Sequence, residues 1–90
     1  MSRLTFKDLK ALATVVSMYY RRNNPEWEPW TDGNGTEYND GDPIVIQRIY
    51  NGYAVCFISS GTTGHINLTL GTIRECYAYL EAMRAHYNLW

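Results

Sequence analysis

The sequence contains little that would support metal or cofactor chemistry. It has two cysteines and two histidines in 90 residues, and they do not stand at the spacing of a zinc-binding pattern. Residues 32–37 are acidic and glycine-rich like the start of a calcium loop. However, Glu37 and Pro43 occupy the places where an EF-hand needs a glycine and a bidentate glutamate. We therefore expect no metal ion and no other cofactor.

The usual groupings of catalytic residues are also missing from the sequence. Cys56 and Cys76 fall on apolar faces of a predicted strand and helix, where a thiol is usually an inert packing group. The glycine-containing segment 61–64 lacks the lysine of a phosphate-binding loop. Exposed carboxylates such as Glu26 and Glu28 rarely have the raised pKa that acid–base catalysis requires. We therefore expect a protein that is not an enzyme, with both cysteines reduced.

Long apolar runs are absent as well. No run approaches the roughly 18 residues of a membrane span, and the chain does not open with a signal-peptide pattern. We therefore expect a cytoplasmic protein that does not insert into membranes. Ninety residues are enough for one modest core without disulfides, so residues 1–90 are interpreted as a single α+β domain.

What the sequence does contain is a strong β-hairpin signal. Residues 44–50 and 53–58 are rich in β-branched and aromatic side chains, and Asn51-Gly52 between them favours a two-residue type I′ turn. Both faces of this hairpin are mostly apolar, so both need a cover. The register expected from the turn pairs Tyr50 with Tyr53, Arg48 with Val55, and Ile46 with Phe57.

A helix is predicted on each side of the hairpin. Residues 6–22 repeat apolar side chains at helical spacing, and Thr5 with Asp8 forms a capping-box pattern at the start. Pro25 ends this helix, because proline disfavours helical geometry in the residue before it. The second helix occupies most of the chain after residue 69.

The start of the second helix has two possible caps. Residues 65–68 alternate and predict a third strand, after which either Thr69 or the pair Thr72 and Glu75 can cap the helix. The predicted fold is therefore an N-terminal helix, a long loop, a two- to three-stranded antiparallel sheet and a C-terminal helix. If both helices cover one face of the sheet, the other face stays exposed and a homodimer through it is possible.

The loop at residues 23–42 has no hydrophobic period and carries six acidic residues and no basic one. Tryptophan is a frequent hot-spot residue in protein interfaces, and acidic residues at a rim steer binding to a basic partner. Burial of the tryptophans against the fold is the alternative. The predicted partner-contact residues are Glu26, Trp27, Glu28, Trp30 and Asp32.

Residues 1–22 carry five basic residues and one acidic residue, which suggests a second function. Basic side chains can contact phosphates and sheet tyrosines can stack on bases, although a net charge of −1 is low for such a domain. The basic helix and the acidic loop can also neutralise each other. The residues of this alternative nucleic-acid-binding module are Lys7, Lys10, Arg21, Arg22, Tyr50 and Tyr53.

Three features together suggest a type of protein. They are the compact hairpin around Asn51 and Gly52, residues 68–75 that lead into the terminal helix, and the aromatic, acidic residues 26–30. In this architecture the chain resembles the small accessory proteins of tailed phages, a group that includes anti-CRISPR inhibitors. The resemblance implies stoichiometric inhibition of a host defence complex, such as a CRISPR effector, in the host cytoplasm.

Overall fold

The computed structural model describes residues 3–88. Its arrangement confirms the predicted α+β class, with an N-terminal helix, a three-stranded antiparallel sheet in the order β1-β2-β3 and a C-terminal helix. The elements are α1 (Phe6–Asn23), a short 3₁₀ helix (Tyr38–Gly41), β1 (Ile44–Ile49), β2 (Gly52–Ile58), β3 (His65–Gly71) and α2 (Ile73–Asn88).

Both helices begin at a capping box. In α1 the Thr5 hydroxyl accepts a bond of 3.2 Å from the Asp8 N–H, and the Thr5 N–H donates to the Asp8 carboxylate at 2.9 Å. In α2 the Glu75 N–H donates to the Thr72 hydroxyl at 3.2 Å, and the Thr72 N–H donates to Glu75 at 2.9 Å. The cap is therefore Thr72, and Thr69 lies within β3.

The hairpin forms, but its predicted register is wrong by two residues. Ile49 pairs with Gly52 and Arg48 pairs with Tyr53, so the connecting residues are Tyr50 and Asn51. Asn51 has a φ of 68°, and Tyr50 is not among the described residues with positive φ. The turn is therefore not of type I′, which needs positive φ at both central residues.

Gly52 is the physical reason for the difference. It is the first residue of β2, and a Cβ atom at this position would lie 2.6 Å from the carbonyl oxygen of Gly71 in β3. The glycine is therefore required for the close approach of two strands and not for the turn. Because the shift is two residues, every strand side chain keeps its predicted face although its partner changes.

Both helices pack on the same face of the sheet. The shortest dimension of the molecule is 20 Å, which corresponds to one helix layer on one sheet layer, each about 10 Å thick. The opposite face therefore has no helix over it. The buried core between the two layers consists of Leu9, Leu12, Ala13, Val16, Ile44, Val55, Cys76 and Leu80.

Candidate functional site

The start of the acidic loop is fixed to the end of β2 by Trp27. This side chain is 6% exposed, and its indole N–H donates to the carbonyl of Ile58 at 2.9 Å. The guanidinium of Arg21 lies over the indole ring, 5.7 Å from its centroid. For Trp27 the alternative of burial against the fold is therefore correct. This predicted contact residue offers almost no surface to a partner.

The loop backbone next to Trp27 is held by the turn after β2. The Glu28 N–H donates to the Ser60 hydroxyl at 2.9 Å, and the Gly61 N–H donates to the Glu28 carbonyl at 2.7 Å. The side chains of Glu26 and Glu28 are exposed. Burial and, secondarily, the nearby Glu26 carboxylate raise the pKa of the Tyr20 hydroxyl. Two carboxylates are thus presented to solvent from a well-anchored backbone.

Trp30 lies on a small ordered loop beyond this anchor. Its ring packs edge-to-face on Tyr38 at 6.5 Å between centroids, and the Tyr38 N–H donates to the Trp30 carbonyl at 2.8 Å. A single antiparallel β-bridge joins Thr31 to Glu37 across this loop. Trp30 is 40% exposed, so a large part of the indole is available to a partner.

Asp32 has a structural role in the turn of this loop. Its carboxylate accepts bonds from the N–H groups of Asn34 at 2.8 Å and Thr36 at 3.0 Å, and it is half-buried. A carboxylate that holds a turn in this way is less available to a partner. Of the five predicted contact residues, three therefore present accessible side chains: Glu26, Glu28 and Trp30.

The basic helix and the acidic segment meet near the end of α1. Arg21 donates to the carbonyl of Gly41 at 3.1 Å. Burial and the adjacent Asp40 carboxylate raise the pKa of Asp42, while a bond from Thr14 and the charge of Arg21 lower it. The two segments therefore interact through the hydrogen bond from Arg21 to the Gly41 carbonyl and through the electrostatic attraction between Arg21 and Asp42. Within residues 3–88, the ion pair that forms joins Arg84 to Glu81 at 2.6 Å.

The structure divides the predicted nucleic-acid residues between two places. Lys7 and Lys10 lie in the first turns of α1, whereas Arg21 and Arg22 lie in its last turn, about 20 Å away at 1.5 Å per residue. Arg22 stacks over the ring of Tyr19, 5.6 Å from its centroid. The six residues therefore do not form one surface.

A cluster around Phe6 was missed in the sequence. The Phe6 ring stacks on Tyr53 at 5.7 Å, and the Arg48 guanidinium lies 4.8 Å from its centroid. The Lys10 ammonium lies 5.6 Å from the same ring, and Tyr50, two residues after Arg48 in the chain, is 92% exposed. The correct register pairs Arg48 with Tyr53 and would have indicated that these two side chains lie together. The predicted register paired Arg48 with Val55 instead, so the cluster was not recognised.

The uncovered face of the sheet is partly apolar. Ile49 at 38% and Leu70 at 55% exposure flank the small, fully buried Ala54 and Cys56. Cys56 donates to the amide oxygen of Asn67 at 3.2 Å. Both cysteines are free and buried, as expected, and burial raises the pKa of both thiols. A homodimer through this face stays a prediction.

A small cavity of about 240 Å³ lies between α1, the 3₁₀ helix and β1. Its polar lining comes from Lys10, Thr14, Asn39, Asp40 and Asp42. This volume is below the roughly 300–1,000 Å³ of typical small-molecule sites. Across residues 3–88, His, Cys, Asp and Glu form no group of three or more that could hold a metal ion.

Comparison with known proteins does not assign the chain to a protein family. No protein-family model, curated protein or solved structure matches it significantly. Within residues 3–88, neither helix has the length and apolar character needed to cross a membrane. The resemblance to phage accessory proteins stays a prediction, and the functional argument depends on the geometry described above.

Proposed function

We propose that the protein is a non-enzymatic binding domain that presents the edge of its acidic loop to a basic surface of another protein. The observation that carries this proposal is the 40% exposure of Trp30 on a loop whose backbone is bonded on both sides. Glu26 and Glu28 precede it in the chain, and their carboxylates make no hydrogen bond or ion pair within residues 3–88.

Rigidity of the loop favours binding. A segment that is already ordered loses little conformational entropy when a partner docks, so more of the contact energy appears as affinity. The bonds from Glu28 to the turn after β2 and from Trp30 to Tyr38 supply this order. An exposed indole can then fill a pocket at the centre of an interface, while the carboxylates increase the association rate with a basic surface.

The biological role that we propose is stoichiometric inhibition of a host defence complex such as a CRISPR effector. The support is the architectural resemblance to phage accessory proteins, together with an exposed binding edge formed by Glu28 and Trp30. An inhibitor of this kind acts by occupying a surface of its target. It therefore requires one copy per target and no turnover.

The test is capture of partners from nuclease-treated host lysate, with the full chain immobilised and the bound proteins quantified by mass spectrometry. We expect a partner that is retained by the wild type and lost with Trp30→Ala or with the double variant Glu26→Lys/Glu28→Lys. Tyr50→Ala is the matched control, because it removes an exposed aromatic side chain far from the acidic loop. Equal capture by the Trp30 variant, or no enriched protein, would overturn the proposal.

A further inference from the structure

The end of the molecule that carries the hairpin turn has a groove with an excess of positive charge. The groove has a volume of about 490 Å³, and its lining includes Arg3, Phe6, Arg48, Asn51, Tyr53 and Thr72. Phe6 also lines an adjoining hollow of about 470 Å³ together with Lys7 and Lys10. Four cationic side chains thus line the two hollows that share Phe6.

The positive charges of this groove outnumber the negative charges on the residues that border it. Arg3, Lys7 and Arg48 form no ion pair and no side-chain hydrogen bond there. The acidic residues on the helices that border the groove, Asp8 and Glu75, accept bonds from the two helix caps and keep their negative charges. Lys10 also lines the cavity that contains Asp40 and Asp42, so Arg3, Lys7 and Arg48 against these two carboxylates leave a small excess of positive charge.

Aromatic surface accompanies these charges. Phe6 and Tyr53 stack at 5.7 Å with planes inclined by 23°, and the Arg48 guanidinium covers Phe6. Tyr50, two residues along the chain from Arg48, is 92% exposed, so its ring is open to a flat ligand. Proteins that bind single strands combine these two elements, with cations along the phosphates and aromatic rings stacked on the bases.

We propose that this groove binds single-stranded nucleic acid, with Arg3, Lys7 and Arg48 contacting phosphates and Tyr50 stacking on a base. A single strand exposes the faces of its bases, so Tyr50 can stack on one of them. In a duplex the base faces are stacked on one another and are not accessible to Tyr50. An acidic polypeptide would supply the negative charges but no flat faces. The geometry therefore favours a single strand over both.

This site is separate from the protein-binding edge proposed above. The groove lies at the Gly52 end of β2, and the acidic loop is bonded near Ile58 at the other end of the strand. Seven residues of β2 span about 20 Å. Either site can therefore be removed without changing the other, and a failure of one proposal leaves the other testable.

The first experiment measures fluorescence anisotropy of a short labelled oligothymidine with the full chain. With three phosphate contacts, the affinity should fall about 20-fold between about 50 mM and about 200 mM salt. Lys7→Ala and Arg3→Ala should each weaken binding and reduce the salt dependence. Arg22→Ala is the matched control, because it removes an equal charge from the other end of α1 and should leave binding unchanged.

The second experiment tests the stacking. Tyr50→Ala should weaken oligothymidine binding about five-fold or more, and Tyr50→Phe should restore it because the ring is kept. Circular dichroism checks that each variant is folded. An oligouridine of the same length distinguishes RNA from DNA, and binding of either supports the proposal. Absence of binding at low salt, equal loss with Arg22→Ala, or equal affinity for duplex DNA or polyglutamate would overturn it.

Discussion

Ser17 of α1 and Ile44 of β1 exchange two hydrogen bonds inside the core. The Ser17 hydroxyl donates to the Ile44 carbonyl at 3.0 Å and accepts from the Ile44 N–H at 3.0 Å. Because β1 is an edge strand, these backbone groups have no neighbouring strand to pair with. A fully buried serine therefore satisfies the edge of the sheet and fixes α1 against it.

Replacement of this serine should destabilise the protein more than its size suggests. Ser17→Ala leaves two buried backbone groups without a partner, and each unsatisfied group costs about 1–3 kcal/mol. We expect the free energy of unfolding in urea to fall by about 2 kcal/mol or more. Ser59→Ala is the control, since its hydroxyl is not bonded within residues 3–88, and it should change the value by less than about 0.5 kcal/mol. Similar losses for both would contradict the assignment.

The two tryptophans of the acidic loop should differ sharply in their effect on stability. Trp27→Phe removes the N–H that bonds the Ile58 carbonyl and leaves a buried acceptor unpaired, which costs about 1–3 kcal/mol. Trp30→Phe changes a side chain that is partly in solvent, and the expected change is below about 0.5 kcal/mol. Urea unfolding followed by circular dichroism measures both. Equal destabilisation would mean that Trp30 is also part of the core.

Neighbouring substitutions at the hairpin turn should differ in their effect on stability. Gly52→Ala places a methyl group 2.6 Å from the Gly71 carbonyl oxygen, and such overpacking against backbone costs about 1–3 kcal/mol. Asn51→Gly keeps the positive φ of 68° and removes the mild penalty that a side chain pays there. We expect a lower melting temperature for the first variant and little change for the second. An unchanged melting temperature for Gly52→Ala would contradict the close approach of Gly52 to the Gly71 carbonyl.

Local signals in the sequence are sufficient for the helices and for the cap of α1. Thr5 with Asp8 and Thr72 with Glu75 lie three residues apart, but the sequence left Thr69 as a second possible cap of α2, and only its position in β3 excludes it. The face of the sheet on which each strand side chain lies can also be predicted from neighbouring residues, because a register shift of two residues does not change it. The register itself cannot be predicted in this way, since Gly52 is constrained by Gly71 on another strand.

The candidate site depends still more on distant contacts. Trp27 and Trp30 stand three residues apart in the same aperiodic, acidic loop, and nothing in that segment distinguishes them. What separates them is the Ile58 carbonyl, 31 residues further along the chain. The groove around Phe6 has the same origin, because Phe6, Arg48 and Tyr53 come from different elements. Sequence patterns therefore predicted the elements but not the surfaces formed between them.

The pH dependence of stability should report on Asp42. Burial first, and the Asp40 carboxylate second, raise the pKa of Asp42 above its ordinary value of 3.8. The folded protein therefore holds this proton more tightly than the unfolded chain. The resulting stabilisation is fully present below pH 3.8 and is lost as the pH rises through the folded-state pKa. Protonation of the Asp42 carboxyl group thus favours the folded state at acid pH.

A comparison of variants isolates this contribution. Urea unfolding between about pH 4 and about pH 7 should show that the stability of the wild type relative to Asp42→Asn increases as the pH falls. Glu75, whose pKa is lowered by its bonds to Thr72, acts in the opposite direction but is present in both proteins and cancels. Asp40→Asn should reduce the slope without abolishing it, because burial is the larger cause. Parallel curves for the wild type and Asp42→Asn would show that Asp42 titrates alike in the folded and unfolded states.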